Sequence, residues 1–401
     1  MSNVISISSA GDGKDCERDM IATLGAPGLP HKVGVITLAL LVAWGVACYG
    51  YQLRYGLAVT AMNNYFSWGV YIINFVFFIG ISMAGTLISA MLRLTGAQWR
   101  RPITRMAEGI TLFALMVAGP MIIIDMGRPD RFLHVLIYGR LQSPILWDVL
   151  SLTTYMAGSM LYLYLPMIPD MAILRDRGSY FSPWRQRLYR TLALGWNGSP
   201  TQHRSLERGI SVMAIVIIPV AISIHTVTAW IFGMTLRPGW HSSIIGPDFV
   251  VGALYSGIAA VIVAMAMFRK FFRLEAYLKV EHFRNLGFML LIAGIAYLYF
   301  TVNNFAGPMY VKQSDEGELL QSIFGGKYSV QFWTMVSVGM IAPCLILALP
   351  PTRTIAGIVT ASVMVNIGMW VMRYIIVVPT LSAPFLPLTK QTLSYVPTLV
   401  E

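Results

Sequence analysis

The sequence predicts an all-α integral membrane protein of about nine transmembrane helices, with eight to ten as the range. Of 401 residues, 56% are hydrophobic and only 12% charged. Mean hydropathy is +0.65, and apolar runs of spanning length recur along the whole chain. A soluble domain carries about 25% charged residues, so this composition could not cover the surface of one. Disorder is excluded too, because it needs low hydrophobicity with high net charge.

The elements follow in order. Residues 1–32 form a polar tail, with Asp12, Lys14, Asp15, Glu17, Arg18 and Asp19. It lacks the basic start and early apolar core of a signal peptide, and the run from Val33 is long enough to remain as a helix. Crossing a membrane takes about twenty apolar residues. Runs of that kind lie at 34–54, 67–92, 104–125, 145–167, 209–232, 249–270, 285–306, 329–350 and 355–378. Gly119-Pro120 interrupts the third and Pro219 the fifth. The transmembrane domain is therefore 33–378, with no stretch left for a soluble domain, and 379–401 is a C-terminal tail.

Net charge is +11, and its distribution fixes the expected orientation. With the N-terminus inside, the inner segments collect Lys14, Arg18 and Lys32, then Arg93, Arg100, Arg101 and Arg105. The 168–208 segment adds Arg175, Arg177, Arg185, Arg187, Arg190, Arg204 and Arg208, and Arg269, Lys270, Arg273, Lys279, Arg284 and Arg353 follow. Few fall outside. The positive-inside rule accounts for the excess, so the basic balance calls for no nucleic acid. The chain belongs in a bacterial or archaeal cytoplasmic membrane, N-terminus in and C-terminus out. The 168–208 segment, with Trp184 and Trp196 among its arginines, reads as an interfacial amphipathic stretch or a partner-docking site.

Ionisable groups within spans are functional candidates. Asp125 ends the third helix on the outer side and Asp148 begins the fourth. His225 lies about two turns from the outer end of the fifth. Arg128, Arg131, His134, Trp240, His241, Asp248, Asn303, Asn304 and Arg373 lie near the same level. In the inner half, Glu108 and Glu207 sit near helix starts, where a carboxylate complements the helix dipole.

A quinol gives up two electrons and two protons. Its site needs an apolar slot, a hydrogen-bond partner at each ring oxygen and nearby proton acceptors, which a histidine beside carboxylates provides. Bland readings stand beside this one. Asp125, Arg128, Asp130 and Arg131 could form a salt-bridge knot, Asp148 a cap, and His225 an interhelical hydrogen bond. Cys16, Cys48 and Cys344 form no C-x-x-C or C-x-x-C-H motif, so neither an iron–sulfur cluster nor a c-type haem is expected in this chain. Only His225 lies clearly within a span, so a bis-histidine haem and a bound metal are not expected either.

Several stretches together resemble one family. They are GTLISAMLRL (from Gly85), RRPITRMAE (from Arg100), DMGRPDRF (from Asp125), SPILWDVLSLTTY (from Ser143), SIHTVTAW (from Ser223), PGWHSSIIGPDFVVGALYSG (from Pro238) and EHFRNLGFMLL (from Glu281). The order is similar to that of the NrfD/PsrC membrane subunits of respiratory complexes. The longer members look nearest: DsrP, HmcC, QrcD and the ActC/ActF subunits of alternative complex III.

The resemblance implies two four-helix bundles with a peripheral helix, and an exchangeable quinone (menaquinone or ubiquinone) at the outer face. It also implies a ferredoxin-like iron–sulfur partner there, further cytochrome and membrane subunits, and a link to sulfur metabolism. Asp125, Asp148 and His225 fall on the family's functional positions. Met83 stands where some relatives have a histidine, and methionine accepts no proton.

The expected function is a subunit, not active alone, that exchanges electrons between a quinone pool and the iron–sulfur partner. His225 is the proton partner of one quinone oxygen, Asp148 and Asp125 are relays, and Arg128 holds a carboxylate ionised. Trp68, Tyr155 and Trp230 line the slot. A purely structural anchor and a proton-coupled transporter are the alternatives.

Overall fold

The computed structural model describes residues 29–176, 182–235, 237–311, 314–383 and 394–401. Its helices are α1 (Leu29–Tyr55), α2 (Val70–Leu94), α3 (Arg101–Asp125), α4 (Pro144–Asp176), α5 (Pro183–Leu192), α6 (Pro200–Gly233), α7 (Ile245–Phe271), α8 (Val280–Val311), α9 (Ser314–Phe324), α10 (Ser329–Ala348) and α11 (Ile355–Ser382). All but α5 and α9 are long and apolar enough to cross a membrane, making nine among the described residues.

The spans close into two rings of four. Helices α2, α3, α4 and α6 pack around one core, and α7, α8, α10 and α11 around another, with α2 against α7 as the principal seam. Both four-helix bundles and the peripheral helix are thus present. Helix α1 stands outside, its apolar stretch uncovered by protein. Gln52 ties its end to the first bundle by donating to the Ile124 carbonyl at 3.0 Å and accepting from the Tyr71 hydroxyl at 2.7 Å.

Alternation of the spans gives two ends. The tail end carries the connections at 56–69, 126–143 and 234–244 and the docked residues 394–401. The basic end carries Arg93, Arg100, Arg105, Arg204, Arg208 and Arg269.

Helices α4 and α6 overrun their apolar stretches. At 33 and 34 residues they reach about 50 Å, against about 30 Å of hydrocarbon. Charged residues end an apolar run but do not stop a helix, so 168–176 and 200–208 are continuations of α4 and α6. Only α5, with Arg185, Arg187 and Arg190 exposed, is a separate amphipathic piece. Here Arg93 meets Glu207 at 3.0 Å with the carboxylate side chain 68% exposed. Water screens such a pair, so Glu207→Gln will change stability by less than about 1 kcal/mol in denaturant titration.

Helix α10 contains a wide π turn at Ser337–Ile341. Pro343 has no N–H, which deprives the Gly339 carbonyl of its regular donor; the Tyr255 hydroxyl of α7 donates to it at 3.0 Å instead. Gly339 and Gly368 let the α10 and α11 backbones touch, since a Cβ on either would overlap the other's Cα.

The tails differ from their expected form. Residues 1–28 of the N-terminal tail lie outside the described residues, and α1 already begins at Leu29. Residues 384–393 of the expected C-terminal tail are likewise outside them, but 394–401 are docked. Glu401 accepts from the Ala61 N–H at 3.0 Å and the Tyr395 hydroxyl at 2.7 Å, and that hydroxyl accepts from the Val70 N–H at 2.8 Å. Burial, and then the bond to Glu401, push the Tyr395 hydroxyl pKa up.

Candidate functional site

Residues three and four apart share a helix face, so α6 presents His225, Thr228 and Phe232 together to the first core. All three are at most 2% exposed. Thr228 donates to Asp148 Oδ1 of α4 at 2.6 Å, and Asp148 is itself buried. His225 Nδ1 lies 2.8 Å from the Ala221 carbonyl and Nε2 lies 3.0 Å from the Ile79 carbonyl of α2. A neutral imidazole carries one N–H and satisfies one of these carbonyls; an imidazolium satisfies both.

Asp125 closes α3 at the same end. It lies within electrostatic reach of Glu401 and Tyr71, and its buried Oδ1 has no hydrogen-bond partner. Arg128 is exposed and makes no ion pair with Asp125. Gly127, at φ 68°, turns the chain between the two residues as it leaves the helix.

The aromatic residues expected around a slot divide three ways. Trp68 stacks on Trp240 at 5.6 Å and meets Phe232 edge-on at 5.4 Å. Tyr155 is fully buried deeper in the bundle, donating to the Ser82 carbonyl at 2.9 Å. Trp230 does not join them, because it lies on the other side of α6 and is 42% exposed.

Two further groups are brought together here. Asp248 of α7, Tyr297 of α8 and Arg373 of α11 are each at most 2% exposed. Asp248 Oδ1, the Tyr297 hydroxyl and Arg373 Nη1 have no hydrogen-bond partner. The Arg373 guanidinium lies over the Phe249 ring at 4.8 Å, and Phe249 continues the cluster from Phe232 at 5.8 Å. Leaving such groups unsatisfied costs about 1–3 kcal/mol each. The sequence placed Asp248 and Arg373 at this depth without assigning them a role. Tyr297 gave no signal, since a tyrosine in an apolar run carries no charge.

The second group corrects the reading of Glu108. It lies two turns inside α3, buried at 5% exposure, and accepts a hydrogen bond from Ser89 of α2. Ser89 in turn lies 3.2 Å from the Tyr162 hydroxyl of α4. The dipole explanation fails because α3 begins at Arg101 and Glu108 faces the core. Between this group and His225, the hydroxyls of Tyr155, Thr86 and Thr111 are linked by bonds of 3.1 and 3.3 Å. Met83 is fully buried among them. No three or more His, Cys, Asp or Glu side chains converge on a metal geometry among the described residues.

Comparison with known proteins places this arrangement. The NrfD, or polysulphide reductase NrfD, family profile matches residues 58–383. A Halobacterium salinarum protein, provisionally named as a membrane subunit of dimethyl sulfoxide reductase, is 30% identical over 90% of this chain and 79% of its own length. A selenate reductase subunit of Mesobacillus selenatarsenatis is 26% identical over 88% and 83%. The Hdr-like menaquinol oxidoreductase integral membrane subunit of Archaeoglobus fulgidus is 22% identical over 82% and 75%. With the profile covering most of the two bundles, the chain belongs to the NrfD family.

Proposed function

We propose that this chain is the membrane subunit of a multi-subunit oxidoreductase, and that it exchanges electrons between a quinone pool and an iron–sulfur partner docked at the tail end. The observation that carries this is the placement of Asp125, Asp148 and His225 at a single end of the first bundle, where Trp68, Trp240 and Phe232 pack together. Positive-inside orientation makes that end the outer one, in an inner membrane. The name of the Archaeoglobus relative favours menaquinone and those of the other two favour a reductase complex. The sulfur link rests on the family name and the resemblance alone.

The residues present suit a hydroquinone ring. Trp68, the partly buried member of the cluster with Trp240 and Phe232, offers a flat apolar surface, and the partnerless Asp125 Oδ1 is an acceptor for a ring hydroxyl. The quinol supplies two electrons and two protons when it is oxidised. Asp125 accepts a hydroxyl proton and passes it to the aqueous end beside Glu401. Asp148, held by Thr228 through Oδ1, relays the second hydroxyl proton from the deeper part of the site. His225 holds a proton between the carbonyls of Ala221 and Ile79.

A structural anchor is the second reading, and the same His225 geometry favours it, since both ring nitrogens already have protein partners. Adding a reduced quinol analogue to the purified complex and following partner cluster spectra separates the two. Rapid cluster reduction, or quinone reduction in the opposite direction, supports exchange; neither in an intact complex supports the anchor. In that assay Asp148→Asn keeps an oxygen for Thr228 but no titratable group. Turnover will fall about a hundredfold or more and its pH profile will lose one limb. Unchanged kinetics would remove Asp148 from proton handling.

A further inference from the structure

The second bundle holds a cavity of about 450 Å³ at the tail end, between α8, α9, α11 and the 239–244 connection. That volume is within the range of small-molecule sites. Its walls are mixed: Leu319, Leu320 and Ile323 on one face of α9 are apolar, and Ser242, Asn304 and Thr380 are polar. One side carries a hydrogen-bonding contact between His241 Nε2 and Glu316 Oε1 at 2.9 Å, with the Glu316 side chain only 9% exposed.

Two prolines add acceptors. Pro308 in α8 has no N–H for the carbonyl of Asn304, and Pro379 in α11 has none for that of Ile375; in each case the residue four positions back loses its regular donor. Asn304 and Ile375 both line the cavity. Backbone groups freed at membrane depth are tolerated where they are buried in protein or line a polar cavity.

We propose that this cavity is a second quinone-pool site, one that takes the reduced, hydroxyl-bearing ring. It rests on the reading that the subunit meets a quinone pool, and it is distinct from the Asp125–Asp148–His225 group, from which Trp240 separates it. Trp240 stacks on Trp68 and donates through Nε1 to the carbonyl of Ile376, another cavity-lining residue. The chemistry selects the reduced form. Glu316 and the two carbonyls without regular donors accept, while Ser242, Asn304 and Thr380 of the same lining can donate; a ring hydroxyl, which donates and accepts, answers both kinds of group, whereas a quinone carbonyl only accepts. The flat ring then lies against the apolar Leu319, Leu320 and Ile323 face, and its tail leaves toward the lipid.

The test uses the purified complex and an azidoquinone reduced to the quinol, photolysed and mapped by peptide mass spectrometry. We expect label on α9 or α11 cavity-lining peptides, falling at least about tenfold, equivalent to 1.4 kcal/mol, when Leu320→Trp fills the space. Ser243→Trp, from the opposite wall, serves where Leu320→Trp does not assemble. Cavity label will persist in His225→Ala. Label confined to the peptides around Trp68 and Asp125 overturns the second site and leaves the proposed function standing. Label on neither, with no quinol-linked electron transfer, overturns both. Cavity label that survives both tryptophan variants in assembled complex also overturns the proposal.

Discussion

Replacing His225 with alanine will leave the complex assembled while quinone-linked electron transfer falls by about a hundredfold or more. The ring lies at the depth where α6 meets α2, with Nδ1 toward Ala221 and Nε2 toward Ile79. Taking up a proton there gives the second carbonyl its donor, so both protonation states are held in one geometry. Alanine removes the only buried imidazole of the first bundle among the described residues. Glutamine discriminates further, since its amide can still donate to the Ile79 carbonyl but carries no titratable proton. If His225 works as a proton partner, His225→Gln will assemble as well as wild type and fail like His225→Ala. If it serves packing alone, His225→Gln will retain turnover and His225→Ala will reduce the amount of complex recovered. Activity and recovery, measured on the same preparations, separate these outcomes.

Much of the architecture was legible because lipid imposes a length requirement that composition meets directly. Each expected run became a span, from 34–54 within α1 to 355–378 within α11. The boundaries were less legible. Helices α4 and α6 continue past their last apolar turn, since hydrogen bonding within a helix does not depend on lipid contact. Helix α9 went unseen because it is short and half polar, although Leu319, Leu320 and Ile323 share a face.

At the site, depth along each helix could be counted, and it brought Asp125, Asp148 and His225 to one end. Angular position could not. It depends on which face each helix turns inward, and this puts Trp68 beside Trp240 but Trp230 at the surface. The same limit hid Glu108, which sequence position assigned to a helix terminus and packing assigns to the core. Partner atoms were equally invisible, so the orphaned Asp248, Tyr297 and Arg373 atoms emerge only once α7, α8 and α11 are packed together.

The seam between the bundles gives the largest expected effect on stability. Gly257 of α7 lies against α2 so closely that a Cβ there would overlap the Ala84 methyl and lie 2.9 Å from the Ile81 carbonyl. Backbone cannot yield as a flexible side chain does, so Gly257→Leu must push the two helices apart. The cost will be about 3 kcal/mol or more, at the upper end for overpacking, and little folded protein will be recovered in detergent. Gly109→Leu is the matched control, because a Cβ on that α3 residue meets nothing within 4 Å; its melting temperature will stay near wild type. Gly257→Ala, with a single methyl to accommodate, will fall between them. The seam also bears on function. Helix α2 supplies the Ile79 carbonyl to His225, while α7 carries Asp248 and Phe249. Opening the seam in Gly257→Ala therefore moves the His225 contact away from the Phe249–Arg373 group. Electron transfer in that variant will drop further than the loss of folded protein accounts for. A loss merely proportional to the folded fraction would mean that the two bundles act independently at the site.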